Sequence, residues 1–160
     1  MDFIKSPKAI EDKSMDLINP FIMDIDLTPE EVTVYSRMIH ASGDVDYGHL
    51  IQTSKGAGIE ALAKGCNIYT DVNMVKAGIN KNALHALGSE VFCRVSDPEI
   101  AAIAKEKGIA RSMAAMNSFG TDLNGSIIAV GNAPTALYEA IRMVEEDGIK
   151  PALIIGIPVG

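Results

Sequence analysis

Helix-like stretches and short apolar runs alternate along the chain. In "AIEDKSMDLINPF", Ile10, Ser14, Leu17 and Ile18 fall at helical spacing, and Pro20 is expected to close the element. "LTPEEVTVYSRMIHASGD" carries a sharp helix start. Thr28 is the N-cap candidate, Pro29 takes the first helical position, and Glu31 completes a capping box. Val34, Met38 and Ala41 predict the apolar face of that helix, and Gly43 predicts its end. "KGAGIEALAKG" reads as a helix ending at Gly65, and "CNIYT" as a short strand. Asp71 is then expected to cap "VNMVKAG", a helix closed by Gly78. "EVFCRV" is a further strand, and Asp97 and Pro98 open a helix that stops at Gly108. "IARSMAAMNSF" predicts a strand end running into a helix. "SIIAVG" is a strand, "PTALYEAIRMVEEDG" a helix, and "PALIIG" the last strand.

Apolar strands without alternation, separated by helices, predict a parallel sheet buried on both faces. The expected fold is α/β, a parallel sheet flanked by helices on both faces, in a single domain spanning residues 1–160. In such sheets ligands bind beyond the carboxyl ends of the strands. That directs attention to Thr70-Asp71, Arg94 to Asp97, Arg111-Ser112, Gly131 to Thr135, and Pro158 to Gly160.

Composition narrows the function. With 48% hydrophobic and 22% charged residues, the chain of 160 residues has an ordinary globular make-up. Its net charge is −7, it has no basic tract, and only 5% of residues are aromatic, so nucleic acid is not an expected partner. An acidic chain that holds an anion must concentrate its few arginines. Cys66 and Cys93 have neither zinc nor redox spacing, and His49 and His85 form no ligand cluster, so no metal site is expected. The N-terminus reads as no signal peptide, and no apolar run reaches about 18 residues. A cytoplasmic protein without a membrane partner is the expectation. "GAGIEA", Gly56 to Ala61, fits G-x-G-x-x-A, but the polar "HLIQTSK" before it is a poor central strand, and a dinucleotide site is rejected.

Three places carry candidate chemistry. Thr33, Arg37, His40 and Asp44 share one polar helix face. His40 lies in the last turn, where the helix dipole favours a protonated imidazole; it is either a proton donor or a solvent-facing histidine. Arg111-Ser112 at a helix start is either a carboxylate or phosphate pocket, or a capping serine beside a surface arginine. Thr70-Asp71 is either part of the site or a strand end and N-cap. "SIIAVGNAPTAL" places a strand-to-helix corner at Gly131 to Thr135, with Gly131 permitting close backbone approach.

"RMIHASGD", "IYTDVNMVKAGI", "ARSMAAM", "VGNAPTALYEAI" and "PALIIGIPVG" stand in the order and spacing of the precorrin-8X methylmutases, whose cobalt-dependent branch is the cobalt-precorrin-8 methylmutases of cobalamin synthesis. The resemblance spans roughly residues 8–160. It implies a homodimeric isomerase that moves a methyl group from carbon 11 to carbon 12 on ring C of a corrinoid, with no cofactor and any cobalt carried by the substrate. It implies His40 as the catalytic group and Arg37, Arg111 and Ser112 as substrate-binding, with Asn132, Thr135, Thr70, Asp71, Lys13 and Ser14 as further candidates. Lys13 stands where the family usually has arginine, keeping the charge but losing the bidentate fork. The family continues beyond "PVG", so this chain is expected to lack the C-terminal segment. A corrinoid-binding relative without turnover is the alternative that this departure raises.

Overall fold

The structure is a computed structural model and describes residues 4–159. Gly160, among the residues singled out at the strand ends, lies outside them. The chain forms two compact units, Met1–Lys55 and Gly56–Gly160.

In the first unit, helix α1 spans Pro7–Ile18 and α2 spans Pro29–Ser42. The capping box at Thr28 forms as expected. The Glu31 N–H donates to the Thr28 hydroxyl at 3.3 Å, and the Thr28 N–H donates to the Glu31 carboxylate at 2.9 Å. Gly43 ends α2 in the left-handed region at φ 70°, which a glycine enters without a Cβ penalty. The core is Ile18, Ile22, Tyr35 and Ile39.

The inward face of α2 differs from the expected one. Val34 is 48% exposed and Ala41 is exposed, while Glu31, Tyr35, Ser36 and Ile39 are buried. Two polar residues on the buried side disguised the face. Glu31 tolerates burial because its carboxylate accepts from both the Thr28 N–H and, at 2.8 Å, the Thr53 hydroxyl. Those bonds, led by the Thr28 backbone, hold its pKa below the ordinary glutamate range.

The second unit is a four-stranded parallel sheet in the order β2-β1-β3-β4. The strands are β1 (Ile68–Thr70), β2 (Val91–Phe92), β3 (Ile127–Val130) and β4 (Leu153–Gly156). The pleat sends alternate residues to opposite cores. Tyr69, Ile128 and Val130 pack with Met116, Leu123, Ala136, Ala140 and Met143. Ile68, Ile127 and Ala129 pack with Ala61 and Leu84. Helices α7 (Arg111–Asn117) and α8 (Pro134–Glu145) therefore cover one face, and α3 (Ala57–Ala63), α4 (Asn73–Gly78) and α5 (Lys81–Ala86) cover the other. Helix α6 (Pro98–Lys107) packs on α7 through Ile100, Ala104, Ala114 and Ala115. The α/β fold with a parallel sheet and helices on both faces is as expected.

Local differences have local causes. No strand precedes α7; Ala110 is its N-cap and the helix starts directly at Arg111. Helix α5 has no counterpart among the expected elements, because its six residues are too short to show periodicity. Asp97 caps α6 only through its backbone, since its carboxylate pairs with Arg94 Nε at 3.2 Å.

Candidate active site

All strands run parallel, and the order β2-β1-β3-β4 places the point where successive strands switch to the other side of the sheet between β1 and β3. In α/β sheets the crevice beyond the carboxyl ends of such a strand pair is the ligand site. Thr70 and Asp71 leave β1 on one side, and Gly131 to Ala133 leave β3 on the other.

Asp71 stitches the two together. It is buried, and its carboxylate accepts the backbone N–H groups of Gly131 at 3.2 Å, Asn132 at 2.9 Å and Ala133 at 2.6 Å. The expected cap of α4 is therefore not made: Val72 occupies the cap position without a side-chain bond. The physical reason is competition. Three convergent donors outweigh the single donor that a helix start offers to a cap. An N–H cradle after a strand is also an anion site in principle. Here the Asp71 carboxylate already fills it, so the N–H groups of Gly131, Asn132 and Ala133 are not open to a second anion. Gly131 is needed for closeness rather than for φ, since a Cβ there would sit 2.8 Å from Val75 Cγ2.

Thr70 is likewise committed. It is buried, and its hydroxyl donates to the Phe92 carbonyl at 3.1 Å, tying β1 to β2. Ser112 does not cap α7. Its hydroxyl meets that of Thr135 at 2.8 Å, joining α7 to the first turn of α8. One of those two hydroxyl protons bridges them; the other is free for a ligand. Asn132 is half-buried in the same corner.

The arginines separate sharply. Arg94 pairs with Asp97 and Glu99 and donates to the Ser118 carbonyl at 3.2 Å. Arg142 pairs with Glu139, Glu146 and Asp147. Arg37, on the exposed face of α2, pairs with Glu11 at 2.6 Å. Arg111 is exposed and makes no hydrogen bond or ion pair among the described residues. Of the four arginines, it alone has no such partner among the described residues, and it directly precedes Ser112 of the Ser112–Thr135 pair. A guanidinium without a partner offers parallel N–H donors of the geometry a carboxylate accepts.

In the first unit, His40 is exposed in the last turn of α2, and its imidazole has no partner among the described residues. Lys13 is exposed on α1, and the Ser14 hydroxyl donates to the Ile10 carbonyl at 2.9 Å. Asp44, placed on the histidine face by spacing, accepts instead from the Asp46 N–H at 3.0 Å.

The precorrin-8X methylmutase family profile matches residues 9–160. The chain belongs to the precorrin-8X methylmutase family. The cobalt-precorrin-8 methylmutase of Leptospira interrogans is 41% identical over 159 residues, which cover 96% of this chain and 72% of that relative. The precorrin-8X methylmutase of Pseudomonas aeruginosa is 35% identical over 163 residues, covering all of this chain and 78% of that one. A solved precorrin-8X methylmutase from Thermus thermophilus superposes with a TM-score of 0.81 at 35% identity, covering 96% of this chain and 75% of that one. The expectation of an isomerase of this family is thus borne out, and relatives bearing methylmutase names do not favour a binding protein without turnover.

Two features escaped sequence reading. The Asp71 clasp joins residues 60 to 62 positions apart. The Glu139 network takes Arg142 from its own helix and Asn117 from α7. Only the Arg142 spacing left a local sign.

Proposed function

We propose that this chain is an intramolecular methyl-transferring isomerase. It moves a methyl group from carbon 11 to carbon 12 on ring C of precorrin-8 or cobalt-precorrin-8. The supporting observation is the unpartnered Arg111 guanidinium, directly before Ser112 of the Ser112–Thr135 pair, at the edge of a family-defining fold. The substrate of such a reaction carries several carboxylates. Arg111, with Ser112, Thr135 and Asn132, fixes one of them, and Arg37, Lys13 and Ser14 are further substrate-binding residues on this reading. Arg37 must exchange Glu11 for the substrate to do so.

The chemistry is a 1,5-sigmatropic shift. The bond from the methyl to carbon 11 breaks as the bond to carbon 12 forms, so no external methyl donor, oxidant or reductant is required. The conjugated system reorganises, and electron density at a ring nitrogen changes. His40, uncommitted in the last turn of α2, donates a proton or hydrogen bond to that nitrogen and lowers the barrier. Holding the macrocycle rigidly adds the orientational part. Thr70 and Asp71 act on this reading as the frame of the pocket rather than as ligands. Any cobalt arrives within the substrate. The enzyme is read as one methylmutase domain over residues 1–160, as a homodimer and as cytoplasmic. The family likeness supports the dimer, and sedimentation is its test. Among the described residues no helix is long and apolar enough to cross a membrane.

The decisive experiment follows product absorbance after adding the methylated precursor. Conversion is expected; a folded protein that converts nothing sinks the reading. His40→Ala is expected to bind product normally while losing about 10²-fold or more in kcat. Near-normal turnover by that variant would remove His40 from the chemistry.

A further inference from the structure

Two side-chain hydrogen bonds tie α7 to α8, one at the candidate site and one away from it. At the helix starts the Ser112 and Thr135 hydroxyls meet at 2.8 Å. In the last turn of α7 the Asn117 amide donates to Glu139 Oε1 at 2.7 Å. Asn117 lies five residues beyond Ser112, and Glu139 lies four beyond Thr135. The helices therefore advance in the same direction, and the second bond sits about 6–8 Å further along them. Met116 of α7 shares a buried cluster with Ala136 and Ala140 of α8. Helix register is fixed by side chains that interlock, and two alanines offer little to interlock with. The two polar bonds carry a correspondingly larger share of it.

Glu139 is an unusual residue to find at the second bond. It is 5% exposed, and a carboxylate is costly to bury unless it is paired. Arg142 pairs with it at 2.8 Å from the same helix, so that contact holds the carboxylate to α8 alone. Asn117 is the one partner that leads out of α8 among the described residues. Just beyond it, the Ser118 carbonyl accepts from Arg94 at 3.2 Å. The far end of α7 is thus anchored by Glu139 and Arg94, while its near end carries Arg111 and Ser112. At seven residues α7 is about 10 Å long, short enough to turn as one body. Whatever sets its far end also sets its near end.

We propose that Glu139 is a positioning residue for the substrate. Through Asn117 it sets the register of α7 on α8, and so keeps the Ser112 hydroxyl on Thr135 and Arg111 in place to grip a carboxylate. Glu139 itself touches no substrate. The inference rests on the methyl-shift reading and on the role given there to Arg111 and Ser112.

The test measures steady-state kinetics and binding of the metal-free corrinoid product, followed by its absorbance, in three variants of the full chain. Asn117→Ala removes the cross-helix bond from its exposed side. It is expected to raise KM and weaken product binding by about fivefold, with kcat within about twofold of the parent. Glu139→Gln loses the charge but keeps an acceptor oxygen for Asn117. It is expected to bind product within about twofold of the parent, although it is the less stable of the two variants. A purely structural role predicts the opposite order. Asn124→Ala is the control. It removes the bond from the Lys150 N–H to Asn124 Oδ1, 2.8 Å long, at the amino ends of β3 and β4, and should bind as the parent does. In the ligand-free Asn117→Ala protein the NMR resonance of the Thr135 methyl should move. Parental KM in Asn117→Ala, an unmoved Thr135 methyl, an equal loss in Asn124→Ala, or weaker binding by Glu139→Gln than by Asn117→Ala would each overturn the positioning alone. A parent that neither binds nor converts a corrinoid would overturn the methyl-shift reading, and the positioning with it.

Discussion

Asp71 shows how one side chain fixes the shape of a distant loop. Its carboxylate holds three backbone donors from a loop some sixty residues later. Asp71→Ala would leave those donors facing a small cavity. The expected loss is about 3 kcal/mol or more in urea unfolding, since each buried donor left unbonded costs about 1–3 kcal/mol. Asp71→Asn keeps one acceptor oxygen and should lose roughly half as much. An Asp71→Ala protein of parental stability would refute the clasp. Acid acts on two other residues. Burial opposes the Glu139 charge, but Arg142 first and Asn117 second outweigh it and lower its pKa. Glu31 is lowered by its cap bonds. A lowered folded-state pKa means that the charged form is favoured by folding. The stability it contributes is complete above the unfolded glutamate value of about 4.3 and is lost as pH falls through the folded value. Glu139→Gln should cost about 2 kcal/mol at pH 7 and flatten the loss of stability below pH about 4. An unchanged acid limb would exclude Glu139 as its source. The sequence could not show either effect, because partner and residue meet only through the fold.

At the scale of elements, what is written locally was legible and what depends on burial was not. The start and stop of α2 follow from Thr28, Pro29, Glu31 and Gly43, all within the span of the helix and its caps. Thr28→Ala should cost about 1 kcal/mol. Gly43→Ala should cost about as much from its left-handed φ alone, since a Cβ there meets nothing within 4 Å. Equal thermal stability of both variants and parent would contradict the capping geometry. The inward face of the same helix was misread because Glu31 and Ser36 are polar, and only Thr53 and the cap reveal why Glu31 belongs inside. The strands read well for the opposite reason. Apolar runs without alternation have few homes other than a sheet covered on both sides. The candidate site divides the same way. Arg111 and Ser112 stood out as residue types at a helix start, but their roles came from partners: Ser112 from Thr135, and Arg111 from having none.

At the scale of the whole chain, a net charge of −7 meets a substrate that is itself a polyanion. The two effects act over different distances. Repulsion by the summed charge reaches tens of ångströms in dilute buffer and is screened within about 10 Å at 0.1 M salt. The proposed pairing of Arg111 with a substrate carboxylate would act at contact, where salt enters far less. Raising salt from about 10 mM to about 100 mM should therefore remove long-range repulsion before it weakens the grip. We expect kcat/KM to rise over that interval, with kcat unchanged, because the gain lies in encounter rather than in the methyl shift. Arg111→Ala should lower kcat/KM by about tenfold or more, mainly through KM, yet keep the same upward salt trend. A fall in kcat/KM from the first addition of salt would mean that the substrate meets a locally positive face despite the acidic chain. The open arginine would then act in steering as well as in holding.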